Sequence, residues 1–294
     1  MSQANGVVMN LPRSKYELVQ RVNWSSLKVV GRSPAHYRHE LLRQGADTAA
    51  RKLGRACHLA ALEPERYRHE VAVWTEGRRA GKKWEAFCSE HEGQELLKED
   101  EAELCQAIQR AVRNDSAAAK YLAGGQGEVS LFWTHVTPPM GALPGYSLDC
   151  KGRVDFLATD RALVDLKTTR DASEDGFGRE VYKYRYHAQA AFYADGYAAA
   201  TGIRLPYVVV AVESAPPHVV QVYRVPDRVL DAGRELYRAL LDRLHICREH
   251  ATWPGYFDGE AELSLPKWAA GGADDDDPTG LGLDFSNAAQ PEHA

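Results

Sequence analysis

Cys150-Lys151-Gly152-Arg153-Val154-Asp155-Phe156-Leu157, followed after a short link by Ala162-Leu163-Val164-Asp165-Leu166-Lys167, reads as two adjacent β-strands. Both runs are rich in apolar residues, yet they carry Asp155, Asp165 and Lys167. Side chains at i and i+2 of a strand project from one face, so Asp165 and Lys167 point the same way. A hairpin closed around Asp160-Arg161-Ala162 would bring Asp155 alongside them. An unpaired carboxylate between apolar strand residues is costly, so two of them with one ammonium mark a site. Hard divalent cations want oxygen donors, and an acidic pocket edged by an amine suits metal-assisted phosphodiester hydrolysis.

Working outward, Glu128 to Val136 reads as a preceding strand in which Val129, Leu131 and Trp133 alternate, broken by Pro138-Pro139. After the motif strands, residues 184–201 read as a helix stopped by Gly202, with Gln189 and Tyr193 four apart on one face. Apolar runs at 207–212 and 219–225 flank Pro216-Pro217, and a last helix spans 227–250. Upstream, residues 1–46 read as helical with a turn at Arg32-Ser33-Pro34. Asp47 is placed to cap a helix that runs to Leu62 and ends before Pro64. A helical insert occupies about 85–121, interrupted near Gly93 and Asn114. This order predicts an α/β fold, a central mixed β-sheet flanked by helices. The expected division is a basic helical N-terminal extension (1–46), a main domain (47–268) and an acidic, disordered tail (269–294).

The 294 residues, 44% hydrophobic and 26% charged, are enough for one sizeable core. No run approaches the length of apolar sequence that spans a bilayer, and no signal-peptide core is present, so a cytoplasmic location and no membrane association are expected. Cys57, Cys88, Cys105, Cys150 and Cys247 form no CxxC pair, which argues against a disulfide framework or zinc ribbon. A net charge of -5 argues at first against nucleic acid, but the charge is uneven. The tail from Ala269 holds six acids and no Lys or Arg, while the first 58 residues hold ten Lys or Arg against three acids. A basic N-terminal region beside an acidic pocket is compatible with binding a phosphate backbone. Lys28, Arg32, Arg38, Arg170, Lys183 and Arg185 are candidate phosphate contacts, and Tyr184 and Tyr186 candidate stacking platforms for unpaired bases.

Four pieces in order carry a resemblance: Gly54 to Pro64, Lys151 to Asp155, Val164 to Thr169, and Tyr186 to Tyr193. Together they resemble the PD-(D/E)XK nuclease superfamily, with its restriction-endonuclease-like core, and within it the phage RecE-like (exonuclease VIII-like) exonucleases. The resemblance covers roughly residues 47–200. It implies Asp155 and Asp165 as metal-binding and catalytic carboxylates, with the Leu166 carbonyl as a further ligand. It implies Lys167 as the residue that orients or deprotonates the attacking water. His58 would face the metals, Glu128 would be an additional ligand or water contact, and Gln189 and Tyr193 would border the site. Bland alternatives stand beside each: a surface ion pair for Asp165 and Lys167, a structural histidine, a strand-end carboxylate at Glu128, core packing for Tyr193.

The expected activity is a Mg²⁺-dependent exodeoxyribonuclease, with Mn²⁺ able to substitute, digesting double-stranded DNA ends 5′ to 3′ by a two-metal mechanism. The resemblance further implies a ring-like homo-oligomer and a single-strand annealing recombinase partner in phage-type recombination. No Fe–S cluster is expected, because only Cys247 lies beyond Cys150 and the related cluster-bearing nucleases need three cysteines there. The rivals are a structure-specific endonuclease on the same fold and a non-catalytic DNA-binding or assembly protein on a nuclease scaffold.

Overall fold

The computed structural model describes residues 3–42, 48–139, 141, 144–256 and 259–264. The expected acidic tail (269–294) and Asp47 lie outside the described residues. In chain order the elements are β1 (Gly6–Val8), α1 (Arg13–Leu18), α2 (Trp24–Val30), α3 (Pro34–Leu42), α4 (Ala49–Leu62), α5 (Pro64–Glu70), β2 (Val71–Trp74), α6 (Lys82–Glu90), β3 (Glu95–Lys98) and α7 (Glu99–Asn114). Then follow α8 (Ser116–Leu122), β4 (Gly125–Thr137), β5 (Tyr146–Ala158), β6 (Ala162–Thr169), α9 (Glu174–Lys183), α10 (Tyr186–Thr201), β7 (Tyr207–Glu213), β8 (Val220–Arg224) and α11 (Asp227–Glu249).

Six strands form one mixed sheet in the order β1-β4-β5-β6-β7-β8, antiparallel throughout except for the parallel β6–β7 pair. That parallel step is made by α9 and α10, since parallel neighbours need a long crossover. The central strands β6 and β7 are apolar on both faces because both faces are covered. Val208, Val210 and Val212 join Val164 and Leu166 in a core with Ala56, Cys57 and Ala60 of α4 and Ile108 of α7. Leu163, Val209 and Ala211 face the opposite core with Ala191 and Phe192 of α10, Leu241 of α11 and Leu27 of α2. The expected mixed sheet flanked by helices is thus the fold found. Among the described residues no helix is long and apolar enough to cross a membrane.

Several local expectations differ. Residues 6–8 are not helical but pair with β4 as an edge strand. The insert is not wholly helical: β3 pairs in parallel with β2, a partner more than twenty residues upstream that local periodicity does not reveal. Thr48 caps α4, its hydroxyl accepting from the Arg51 amide. The 184–201 helix begins at Tyr186, and α9 precedes it, capped by Ser173.

Candidate active site

The site is made where the sheet stops being a sheet. Arg161 N donates to Ala158 O at 3.0 Å and closes the β5–β6 hairpin, and the ladder runs from Ala158↔Ala162 to Phe156↔Val164. The next register position would set Asp155 against Asp165, but that pairing is not made. On its other side, the β4–β5 ladder skips Asp155 as well, opposite Glu128, whose φ of 53° is left-handed. Val154 therefore packs in the α10 core and Phe156 in the α4 core, so the alternation slips by one across Asp155. A side chain replaces the missing backbone bond: the Leu166 amide donates to Asp155 Oδ2 at 2.9 Å.

Two carboxylates and a lysine meet in this opening. Lys167 Nζ lies 2.5 Å from Asp165 Oδ2 and 4.8 Å from the centre of the Tyr186 ring. His58 Nδ1, from α4, is 3.5 Å from Asp155 Oδ2. Burial raises the proton affinity of Asp155, but His58, Lys167 and the Leu166 amide outweigh it and hold the pKa at about 2. Asp165, 2% exposed, goes the other way: burial pushes it up to about 6, Lys167 resists, and Asp155 adds to the push. Burial disfavours the charge on Lys167, yet Asp165 and Asp155 hold its pKa above the ordinary value. His58 is likewise raised, Asp155 overcoming desolvation.

The structure brings six of the eight sequence-derived residues together directly. Beyond Asp155, Asp165, Lys167 and His58, Leu166 enters through its amide, its side chain lying in the α4 core. Gln189 Nε2 donates to Asp165 Oδ1 at 3.4 Å. Tyr193 lies one layer back: its ring packs on Gly152, where an added Cβ would be 2.9 Å from the ring. Its hydroxyl pKa is driven well up by burial, then by Tyr16, Asp155 and Asp165. Glu128 forms an ion pair with Arg153, which also donates to Leu11 O at 3.1 Å.

Sequence reasoning missed Tyr207, 1% exposed on β7, whose pKa is raised by burial and then by Asp165 and Asp155. Opening an apolar run, it gave no signal beyond core packing. Tyr186, a candidate stacking platform for unpaired bases, lies under the Lys167 ammonium.

Among the described residues, no three His, Cys, Asp or Glu side chains gather closely enough to hold a metal by themselves. The donor chemistry nevertheless fits a hard divalent cation: such an ion takes one or two protein carboxylates and completes its shell with waters and substrate oxygens. Asp155 and Asp165 would supply the carboxylates, with Lys167 in contact with Asp165 and the charge of Asp155 raising the Asp165 pKa.

A family model described as a PDDEXK-like domain of unknown function (DUF3799) matches residues 23–264. Among solved structures, a protein provisionally named an exonuclease, from Eubacterium rectale, is similar at 14% identity and a TM-score of 0.58, covering 90% of this chain and 99% of its own. At that identity the likeness is one of fold. An alkaline exonuclease from Laribacter hongkongensis aligns at 16% identity and a TM-score of 0.23, over 64% of this chain and 98% of its own. No curated protein matches.

Proposed function

Because the chain belongs to the family of PDDEXK-like domains DUF3799, we propose that it is a divalent-metal-dependent deoxyribonuclease that hydrolyses double-stranded DNA from its ends. The observation carrying this reading is the opposition of Asp155 and Asp165 at the open end of the hairpin, with Lys167 Nζ 2.5 Å from Asp165 Oδ2. Asp155 and Asp165 would hold Mg²⁺, or Mn²⁺ in its place, with the Leu166 carbonyl, His58 and Glu128 as further ligands. When bound, the ions supply Lewis acidity at the phosphoryl oxygens and ease deprotonation of water.

The chain's own groups do the rest. Lys167 stays protonated because two carboxylates face it, so it donates rather than accepts: it orients the attacking water and offsets charge gathering on the phosphate oxygens. Asp155 is aimed by the Leu166 amide and steadied by His58. Gln189 fixes the Oδ1 edge of Asp165. Tyr193, packed on Gly152, keeps β5 from shifting three residues before Asp155. The provisional name of the Eubacterium rectale neighbour supports exonuclease action. The 5′-to-3′ direction, a ring-like oligomer and an annealing recombinase partner rest on the resemblance to phage exonucleases.

The test incubates end-labelled linear DNA and closed circular DNA with Mg²⁺, with Mn²⁺ and with a chelator. Loss of the linear form alone, abolished by the chelator, is the expected result, and labels at either end read the polarity. Nicking of the circle would assign an endonuclease on the same fold. Intact DNA with both ions would leave a non-catalytic DNA-binding protein and overturn the proposal.

A further inference from the structure

A cleft of about 820 Å³ is walled by residues of α1 to α4, among them Lys28 and Arg51. Arg13 and Arg55, on the same wall, are held by Glu17 and Glu95, which leaves Glu40 as the remaining acid there. Lys28, on this wall, lies near enough to Lys167 of the candidate site to feel its charge. Its ammonium is held below its ordinary pKa, first by desolvation and then by Lys167, Arg51 and Arg185, all of them cations. Among the described residues none of Lys28, Arg51 and Arg185 has an ion-pair partner.

Arg185 is brought there by its backbone and by a glycine. It precedes α10 with a left-handed φ of 59°, rare for a residue with a side chain. Its Nη1 donates to the carbonyl of Lys28 at 3.1 Å. The guanidinium lies over Gly31, where an added Cβ would sit far inside van der Waals distance of Nη1. Gly31 itself has φ -67°, a helical value any residue adopts. Its lack of a side chain therefore gives clearance to Arg185 and no special turn.

Gathering cations that have no ion-pair partner is unfavourable unless an anion joins them. We propose that Lys28, Arg51 and Arg185 form a subsite for a backbone phosphate of the nucleic-acid strand, next to the phosphate that Lys167 serves. The subsite rests on the nuclease reading for its ligand, and Gly31 is the positioning residue that seats Arg185.

The experiment measures binding of a labelled single-stranded oligodeoxynucleotide to the full chain against salt concentration, in chelator so that nothing is cleaved. Each lost phosphate contact flattens the slope of log affinity on log salt by about 0.7. Lys28→Ala, Arg51→Ala and Arg185→Ala are each expected to do so. Gly31→Ala, which removes no charge, is expected to match Arg185→Ala, and the double variant to match either single one. Unchanged slopes in Lys28→Ala and Arg185→Ala would overturn the subsite. An equal effect of Lys120→Ala, on α8, would also overturn it by showing diffuse attraction. Should Gly31→Ala melt early, because Leu240 crowds the same point, Arg185→Ala and Lys28→Ala decide. Wild-type protein that binds through these residues yet cleaves nothing would sink the nuclease reading and leave the subsite standing. Cleavage with unaltered slopes would do the reverse.

Discussion

Replacing Asp155 with Asn removes a charge while keeping the shape and an oxygen that can accept from Leu166 N. The carboxylate sits at a pKa of about 2 against an ordinary 3.8, because His58, Lys167 and the Leu166 amide outweigh its burial. A folded pKa below the unfolded one stabilises the fold at every pH above 3.8, and that stability is lost as pH falls through about 2. At about 1.4 kcal/mol per unit, the charge contributes about 2 kcal/mol at neutral pH. For a domain of this size that is a fall in Tm of about 4–8 °C. Urea titrations and thermal melts of Asp155→Asn and wild type, without divalent ions, read the gap directly. It is expected to widen as pH falls from about 7 to about 5, because Asp155 raises the pKa of both His58 and Asp165, and to close only below about pH 4. A variant as stable as wild type at neutral pH would refute the reasoning, since Asp155 would then gain nothing from its neighbours. So would a gap that closes between about pH 7 and pH 5, which would mean a carboxylate titrating above its ordinary range.

Other substitutions probe the same packing. Lys167→Met leaves buried Asp165 without its ion-pair partner, near half-buried Asp155, and is expected to cost about 3–5 kcal/mol by urea denaturation, with loss of cleavage; unchanged stability would show that the lysine is solvated. Gly233→Ala drives a methyl into the His187 carbonyl where α11 crosses α10, and the clash is expected to cost about 1–3 kcal/mol, read as a lower Tm. Cys57 and Cys105 sit 3.4 Å apart and buried, and the Cys57 thiol is pushed up by its bond to Cys105 and then by burial. Iodoacetamide at neutral pH is expected to label half-buried Cys88 first, and faster labelling of Cys57 by mass spectrometry would contradict the packing.

Much of this was legible because the motif lies on strands with a strict period. Asp165 and Lys167 share a face by arithmetic alone, and the link at Asp160 is a hairpin because its φ of 54° suits a tight turn. Gln189 reached Asp165 from a helix whose spacing was plain. What stayed hidden depended on pairing with distant partners. β3 acquires strand character only from β2, and Gly6–Val8 only from the Ser130 region of β4. Glu128 illustrates a different limit: its position on β4 was clear, but the left-handed kink and the Arg153 pairing follow from tertiary packing. The orientation of Tyr186 under Lys167 likewise depends on how α10 lies over the sheet.

The bond from Leu166 N to Asp155 Oδ2 substitutes for a rung of the β5–β6 ladder. One peptide amide is thereby wired to the electronic state of a carboxylate, while its neighbours answer only to backbone. In a nitrogen-15 spectrum the Leu166 cross-peak becomes a resident gauge of whatever proton or cation arrives between the two acids. The fold thus carries a means of watching its own centre that does not depend on turnover.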